Sequence, residues 1–144
     1  MQKGKVIAIC TGKIKSKPKR AVDKTLLKVG VGIPGDAHAK TYKEISLLSI
    51  EAINELNEQK GIKAKPGSFA ENITTKGVDL MSIPLGTKLK IGEALIEIIQ
   101  KGKKPSNSHS YSYKGYSLLP TKGIFAKVIK SGYVKVGDEI LVGI

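Results

Sequence analysis

The 144-residue sequence has one cysteine, Cys10, one arginine, Arg20, and two histidines, His38 and His109. A lone thiol cannot close an internal disulfide, which excludes a disulfide-stapled secreted scaffold. No stretch is apolar over the roughly 20 residues that a membrane-spanning helix needs. The apolar run at residues 6–10, behind a basic N-terminus, is shorter than the roughly 7 to 15 residues of a signal-peptide core. The expectation is a cytoplasmic protein with no membrane partner. With Arg20 alone, the sequence also lacks the guanidinium forks that most often read guanine edges and planar carboxylates.

Lysine is abundant instead. Twenty-five basic against 12 acidic side chains leave a formal charge of +13 at pH 7. Such a balance suits an anionic partner, either a small phosphorylated ligand or nucleic acid. The lysines are scattered from Lys3 to Lys135 with no dense arm, which is also the pattern of a solvated lysine-rich surface. The length predicts one domain over residues 1–144, large enough to fold without a structural metal.

The β-branched run at residues 6–10 predicts a strand buried on both faces. Residues 13–24 hold six basic side chains and Pro18, and predict a solvated connection. A second short strand is predicted at residues 26–31, followed by Gly32 and the Pro34-Gly35 pair. One convincing helix follows Ser49, a natural N-cap, with Ile50, Ile53 and Leu56 on one stripe and Gly61 as its stop. Leu48 and Ile53 stand where a hydrophobic staple would close over its start. Strands are predicted around Leu80 and at residues 85–91, 94–99, 124–129 and 140–144. Leu85-Gly86-Thr87-Lys88-Leu89 and Val136-Gly137-Asp138-Glu139-Ile140 share a frame that suits tight corners. The sum is a mainly β domain, a small barrel with one main helix. Residues 101–123, rich in serine, tyrosine and lysine, predict a long functional loop.

Two motifs carry candidate chemistry. Gly35-Asp36-Ala37-His38-Ala39 sets a carboxylate and an imidazole two residues apart in a glycine-rich turn. Asp36 there either satisfies local amides or meets a ligand. A metal role for His38 lacks support, since no second cysteine exists and His109 is the only other histidine. Pro66-Gly67-Ser68-Phe69-Ala70-Glu71-Asn72-Ile73 offers an acceptor and an amide after a tight turn, able to read a heterocycle edge or to brace the turn itself. Cys10, inside an apolar strand, reads as inert core. Tyr111, Tyr113 and Tyr116, interleaved with Lys104 and Lys114, are an alternative surface for stacking bases.

Read in order, these segments resemble the MOSC domain, named for the C-terminal domain of molybdenum cofactor sulfurases, and above all its short stand-alone bacterial members. The resemblance runs through Lys5-Val6-Ile7-Ala8-Ile9-Cys10, Gly35-Asp36-Ala37-His38-Ala39, Ser46-Leu47-Leu48 with Glu51, and the segment from Pro66 to Ile73. It continues through Leu85-Gly86, Ile91-Gly92-Glu93-Ala94, Gln100 with Gly102-Lys103, Pro120, Gly123-Ile124-Phe125-Ala126 and Val136-Gly137-Asp138. It implies a barrel like the one inserted in pyruvate kinase, and binding of the pterin molybdenum cofactor or a precursor. It further implies partners among molybdenum enzymes and cofactor-biosynthesis proteins. Two departures stand out. Where the family pattern has cysteine then histidine, this chain has Pro105 and Ser106, so cysteine-based sulfur transfer is not expected. Where a His-Arg-Gln run is typical, Tyr42-Lys43-Glu44 stands. For such a pterin ligand, side-chain chemistry points to Gly35, Asp36, His38, Lys43, Gly67, Glu71, Asn72 and Lys122 as binding residues. Lys43 and Lys122 would face the phosphate, and Asp36 or Glu71 the pterin amino group. No protein metal ligand is expected, no catalytic residue is assigned, and the alternative is a basic nucleic-acid-binding or regulatory module.

Overall fold

Period-two alternation decides which side of each strand faces inward. Leu89 and Ile91 face the same interior as Ala94, Ile96 and Ile98, and Lys88 and Lys90, which alternate with the first pair, stay outside. The computed structural model describes residues 2–14, 17–102 and 112–143. In chain order the elements are β1 (Lys3–Thr11), β2 (Arg20–Val22), β3 (Lys24–Leu27), β4 (Ile45–Ser49), α1 (Ile50–Lys60) and β5 (Ile73–Lys76). A 3-10 turn (Leu80–Ser82) leads to β6 (Lys88–Ile91), β7 (Ala94–Lys101), α2 (Leu119–Lys122), β8 (Ile124–Lys130), β9 (Gly132–Lys135) and β10 (Glu139–Val142).

The sheet runs β10-β6-β7-β8-β4-β5-β1-β2, and β10 also pairs with β1, so seven strands close into a barrel with β2 as a flap on β1. All pairings are antiparallel except β4 with β5. That one parallel pair requires a crossover, which α1 supplies. Closure removes the exposed edges that an open sheet of this size would carry. β3 and β9 form a separate two-stranded ribbon.

Two apolar clusters follow. Val6, Ile9, Leu47, Ile73, Leu89, Ile96, Ile124 and Ile140 fill the barrel. Leu48, Ile53, Phe69, Leu119 and Phe125 form a second cluster where α1 lies on the outer wall. The helix has the predicted bounds: Ser49 Oγ accepts from the Ala52 amide at 3.1 Å, and Gly61 closes it at φ +64°. Leu48 and Ile53, the predicted staple, are both fully buried in that second cluster.

Four expectations are corrected. The segment around Leu80 is a 3-10 turn, Leu80–Ser82, in which the Ile83 amide donates back to the Leu80 carbonyl. The second strand stops at Leu27, because Gly32 at φ +94° folds the chain back in a tight turn bridged between Lys28 and Gly32. The strand predicted from residue 85 starts only at Lys88, after a turn in which Leu85 is 62% exposed. The connection at residues 13–24 is not wholly solvated: β2 lies in it, and Lys19 is 6% exposed.

Candidate functional site

The C-terminal end of β1 meets two loops that precede β4 and β5. The Pro66-Gly67 turn comes so close to it that a Cβ on Gly67 would overlap the Lys19 carbonyl and press on the Cys10 sulfur. Gly67, at φ +89°, is therefore required there. The loop then folds on its own carboxylate. Glu71, with no exposed surface, accepts from the amides of Gly67 at 3.0 Å and Phe69 at 3.1 Å, and from the Thr74 hydroxyl at 3.3 Å. Burial raises the pKa of Glu71, opposed by those hydrogen bonds. Asn72 Oδ1 accepts from the Ser46 amide at 3.0 Å, and its Nδ2 donates to the Cys10 carbonyl at 3.1 Å. Glu71 and Asn72 thus tie β1, β4 and β5 together; neither presents a polar atom to solvent.

Asp36 gathers the other polar cluster. Its Oδ1 takes the Lys19 ammonium at 2.7 Å, the Gly12 amide at 3.0 Å and the Thr11 hydroxyl at 3.2 Å; its Oδ2 takes the His38 amide at 3.0 Å. Burial alone would raise this carboxyl's pKa, but contacts with His38 and Lys19 and the ammonium charge outweigh it, and it lies well below the usual carboxylate range. Lys19 Nζ also approaches His38 Nδ1 at 3.4 Å. The Asp36 Oδ2 lies 3.6 Å from the same ring nitrogen, so Nδ1 faces both the ammonium and the carboxylate. Of the three side chains only the imidazole reaches the surface, at 21% exposure against 2% for Lys19 and 0% for Asp36.

The remaining candidates separate. Gly35, at φ +83°, has open space where a Cβ would stand. Lys43 is half-buried, its Nζ 5.0 Å from the centre of the Phe125 ring. Lys122 is exposed at the end of α2 and lines a different cavity, of about 410 Å³, with Ser49, Glu51 and Glu55. Tyr113 and Tyr116 pack into the second cluster, Tyr113 edge-on to Phe69 with ring centres 5.8 Å apart. Lys104, Pro105, Ser106, His109 and Tyr111 lie outside the described residues. Lys19 was missed, because a lysine within a basic run looks solvated.

Cys10 is buried, and its thiol is pushed up to about 12 by burial and by the Glu71 charge, against the opposing charges of Lys19 and Lys65. It is a protonated thiol at neutral pH. Among the described residues no three His, Cys, Asp or Glu side chains gather as a metal site, and no helix is long and apolar enough to cross a membrane.

Comparison with known proteins places this geometry. The MOSC domain family model matches residues 34–141, which takes in both site loops but not Lys19. The YuaD protein from Bacillus subtilis superposes with a TM-score of 0.78 at 23% identity, over 99% of this chain and 98% of that one. YiiM from Geobacillus stearothermophilus gives 0.70 at 18% identity over 95% of this chain and 72% of that one. YiiM from Escherichia coli gives 0.67 at 23% identity over 99% and 69%. At such identities the likeness carries the fold. No curated protein matches the chain.

Proposed function

Because the chain belongs to the MOSC domain family, we propose that it binds the molybdenum cofactor, or a pterin precursor, by its anionic end and relays no sulfur on a cysteine. Family membership supports a molybdenum-cofactor-related domain. The observation that carries the finer reading is the cluster at Asp36, which buries its carboxylate and ammonium and leaves the imidazole as the one side chain with exposed surface. A phosphate is met by such an imidazole, and would draw the half-buried Lys43 ammonium of the same connection away from the Phe125 ring on which it lies. The open backbone at Gly35 leaves room beside them. Asp36 and Glu71 act as braces and not as acceptors for the pterin, since neither carboxylate has exposed surface. The bound cofactor would supply metal-centred redox chemistry; the residues here bind and orient it.

Sulfur relay needs an accessible thiolate. Cys10 is buried with its pKa near 12, and neither Pro105 nor Ser106 carries sulfur. Titration with a phosphorylated pterin, followed by pterin fluorescence, tests the binding. His38→Gln and Lys43→Gln should each weaken affinity about tenfold, the scale of one charge-assisted hydrogen bond, with unchanged melting temperature. Affinity unaltered in both variants would contradict the assignment.

A further inference from the structure

Register across the barrel wall lines up lysines that are far apart in sequence. Lys3 of β1 stands opposite Leu141 of β10, Leu141 opposite Lys90 of β6, Lys90 opposite Leu95 of β7, and Leu95 opposite Lys130 of β8. Opposed residues share a sheet face. Their neighbours Ile140, Ile91 and Ala94 point into the barrel, so this row lies outside, three exposed lysines with half-buried leucines between them. Strands about 4.8 Å apart put the lysines about 10 Å from one another. Among the described residues, lysines pair with carboxylates only at Lys19–Asp36 and Lys127–Glu97, so none of the three is neutralised.

The β3–β9 ribbon borders this row. Lys24 is directly opposite Lys135, a like-charge pair that disfavours the ribbon by itself. Lys24 Nζ lies 4.8 Å from the centre of the Tyr133 ring, and Tyr133 is 50% exposed. Lys24, Lys90, Lys135, Tyr133 and Leu141 line one cavity of about 570 Å³. Of the three carboxylates there, Glu93 accepts from the Tyr133 amide and Asp138 from the Lys135 amide, while Glu139 stands opposite Lys5.

We propose that this face binds single-stranded nucleic acid, its phosphates along the Lys3–Lys90–Lys130 row and a base stacked on Tyr133. A chain of phosphates complements a line of unpaired ammonium groups, and an exposed aromatic ring beside a concavity accepts the flat face of any base. Lysines supply charge without the bidentate reading of base edges, so the binding has no sequence preference. An anionic bilayer would complement the charge but has no use for the ring.

The test is fluorescence anisotropy with a labelled RNA of about 12 nucleotides, a length within the range of one such site. For the three lysine–phosphate contacts of the row at a slope of about −0.7 each, affinity should fall about 20-fold between about 50 and 200 mM salt. Lys90→Gln and Lys130→Gln should each make the slope shallower by about 0.7. Tyr133→Ser should weaken binding about tenfold at constant slope, and Tyr133→Phe should retain it. Lys60→Gln and Lys114→Gln, whose ammonium groups lie over Tyr116 and Tyr113 on the α1 side, should change nothing. Absence of binding at about 50 mM salt overturns the proposal. So do equal losses from Lys60→Gln and Lys114→Gln, equal affinities of Tyr133→Phe and Tyr133→Ser, or binding to phosphatidylserine vesicles without binding to RNA.

Discussion

At the scale of residues, the Lys19–Asp36 pair does the most. Both side chains are withdrawn from water, 2% and 0% exposed, so each depends on the other for its counter-charge. Removing one leaves the other charged and buried, which costs about 3–5 kcal/mol. Lys19→Met should therefore lower the urea midpoint sharply, while Asp36→Asn in the same background should recover part of the loss. The pH dependence has a definite sign. Since the Asp36 carboxyl is depressed in the fold, its contribution is complete above an unfolded value of about 4 and is lost as pH falls toward its lower native value. Glu71 is raised by burial and has the opposite sign, its contribution being lost as pH rises through the raised native value. Urea midpoints for wild type and Asp36→Asn should thus converge on acidification below about pH 4; a constant gap would contradict the pairing. The Asp36-His38 spacing was legible in the sequence, because a turn aspartate two residues before a histidine is a local pattern. Lys19 was not, because its burial depends on Gly67 bringing a loop from 48 positions away onto its carbonyl.

At the scale of elements, what was legible is what local patterning decides. Ser49, the Ile50-Ile53-Leu56 stripe and Gly61 delimit α1 without help from the rest of the fold. The apolar alternation of β7 and β8 and the glycine corners at Gly86 (φ +85°) and Gly137 (φ +93°) are equally local. β2, β4, β5 and β9 were not predicted as strands. They are 3, 5, 4 and 4 residues long, too short for a period to declare itself, and their pairing partners supply the ladder. β5 is the plainest case: Thr74 and Thr75 are fully buried in it, because Thr74 donates to Glu71 and both residues lie between β1 and β4. Since α1 is the crossover that makes β4 and β5 parallel, its cap bears on the barrel. Ser49→Ala should cost about 1 kcal/mol in chemical denaturation and Ser49→Asp almost nothing. Equal losses in the two variants would mean that the Ser49 hydroxyl does not cap the helix.

At the scale of the molecule, a seven-strand barrel closed by β1 with β10 separates two surfaces. One end holds the Asp36 cluster and the Gly67–Asn72 loop, built from the segments just before β4 and β5. The wall from β1 across β10, β6 and β7 to β8 carries the lysine row. The mainly β class was readable from strand density and glycine corners, whereas closure was not, because it rests on the pairing of residues 3–5 with residues 139–141, at opposite ends of the chain. The central claim is that a MOSC domain with Pro105 in place of the family cysteine still holds a pterin ligand. Anaerobic native mass spectrometry of the protein from a cofactor-producing host, beside its Pro105→Cys variant, tests it most directly. A pterin-sized adduct on the natural protein, with Cys10 free of persulfide, is the predicted result. A bare natural protein beside a loaded Pro105→Cys variant would contradict it, by showing that binding was lost with the thiol.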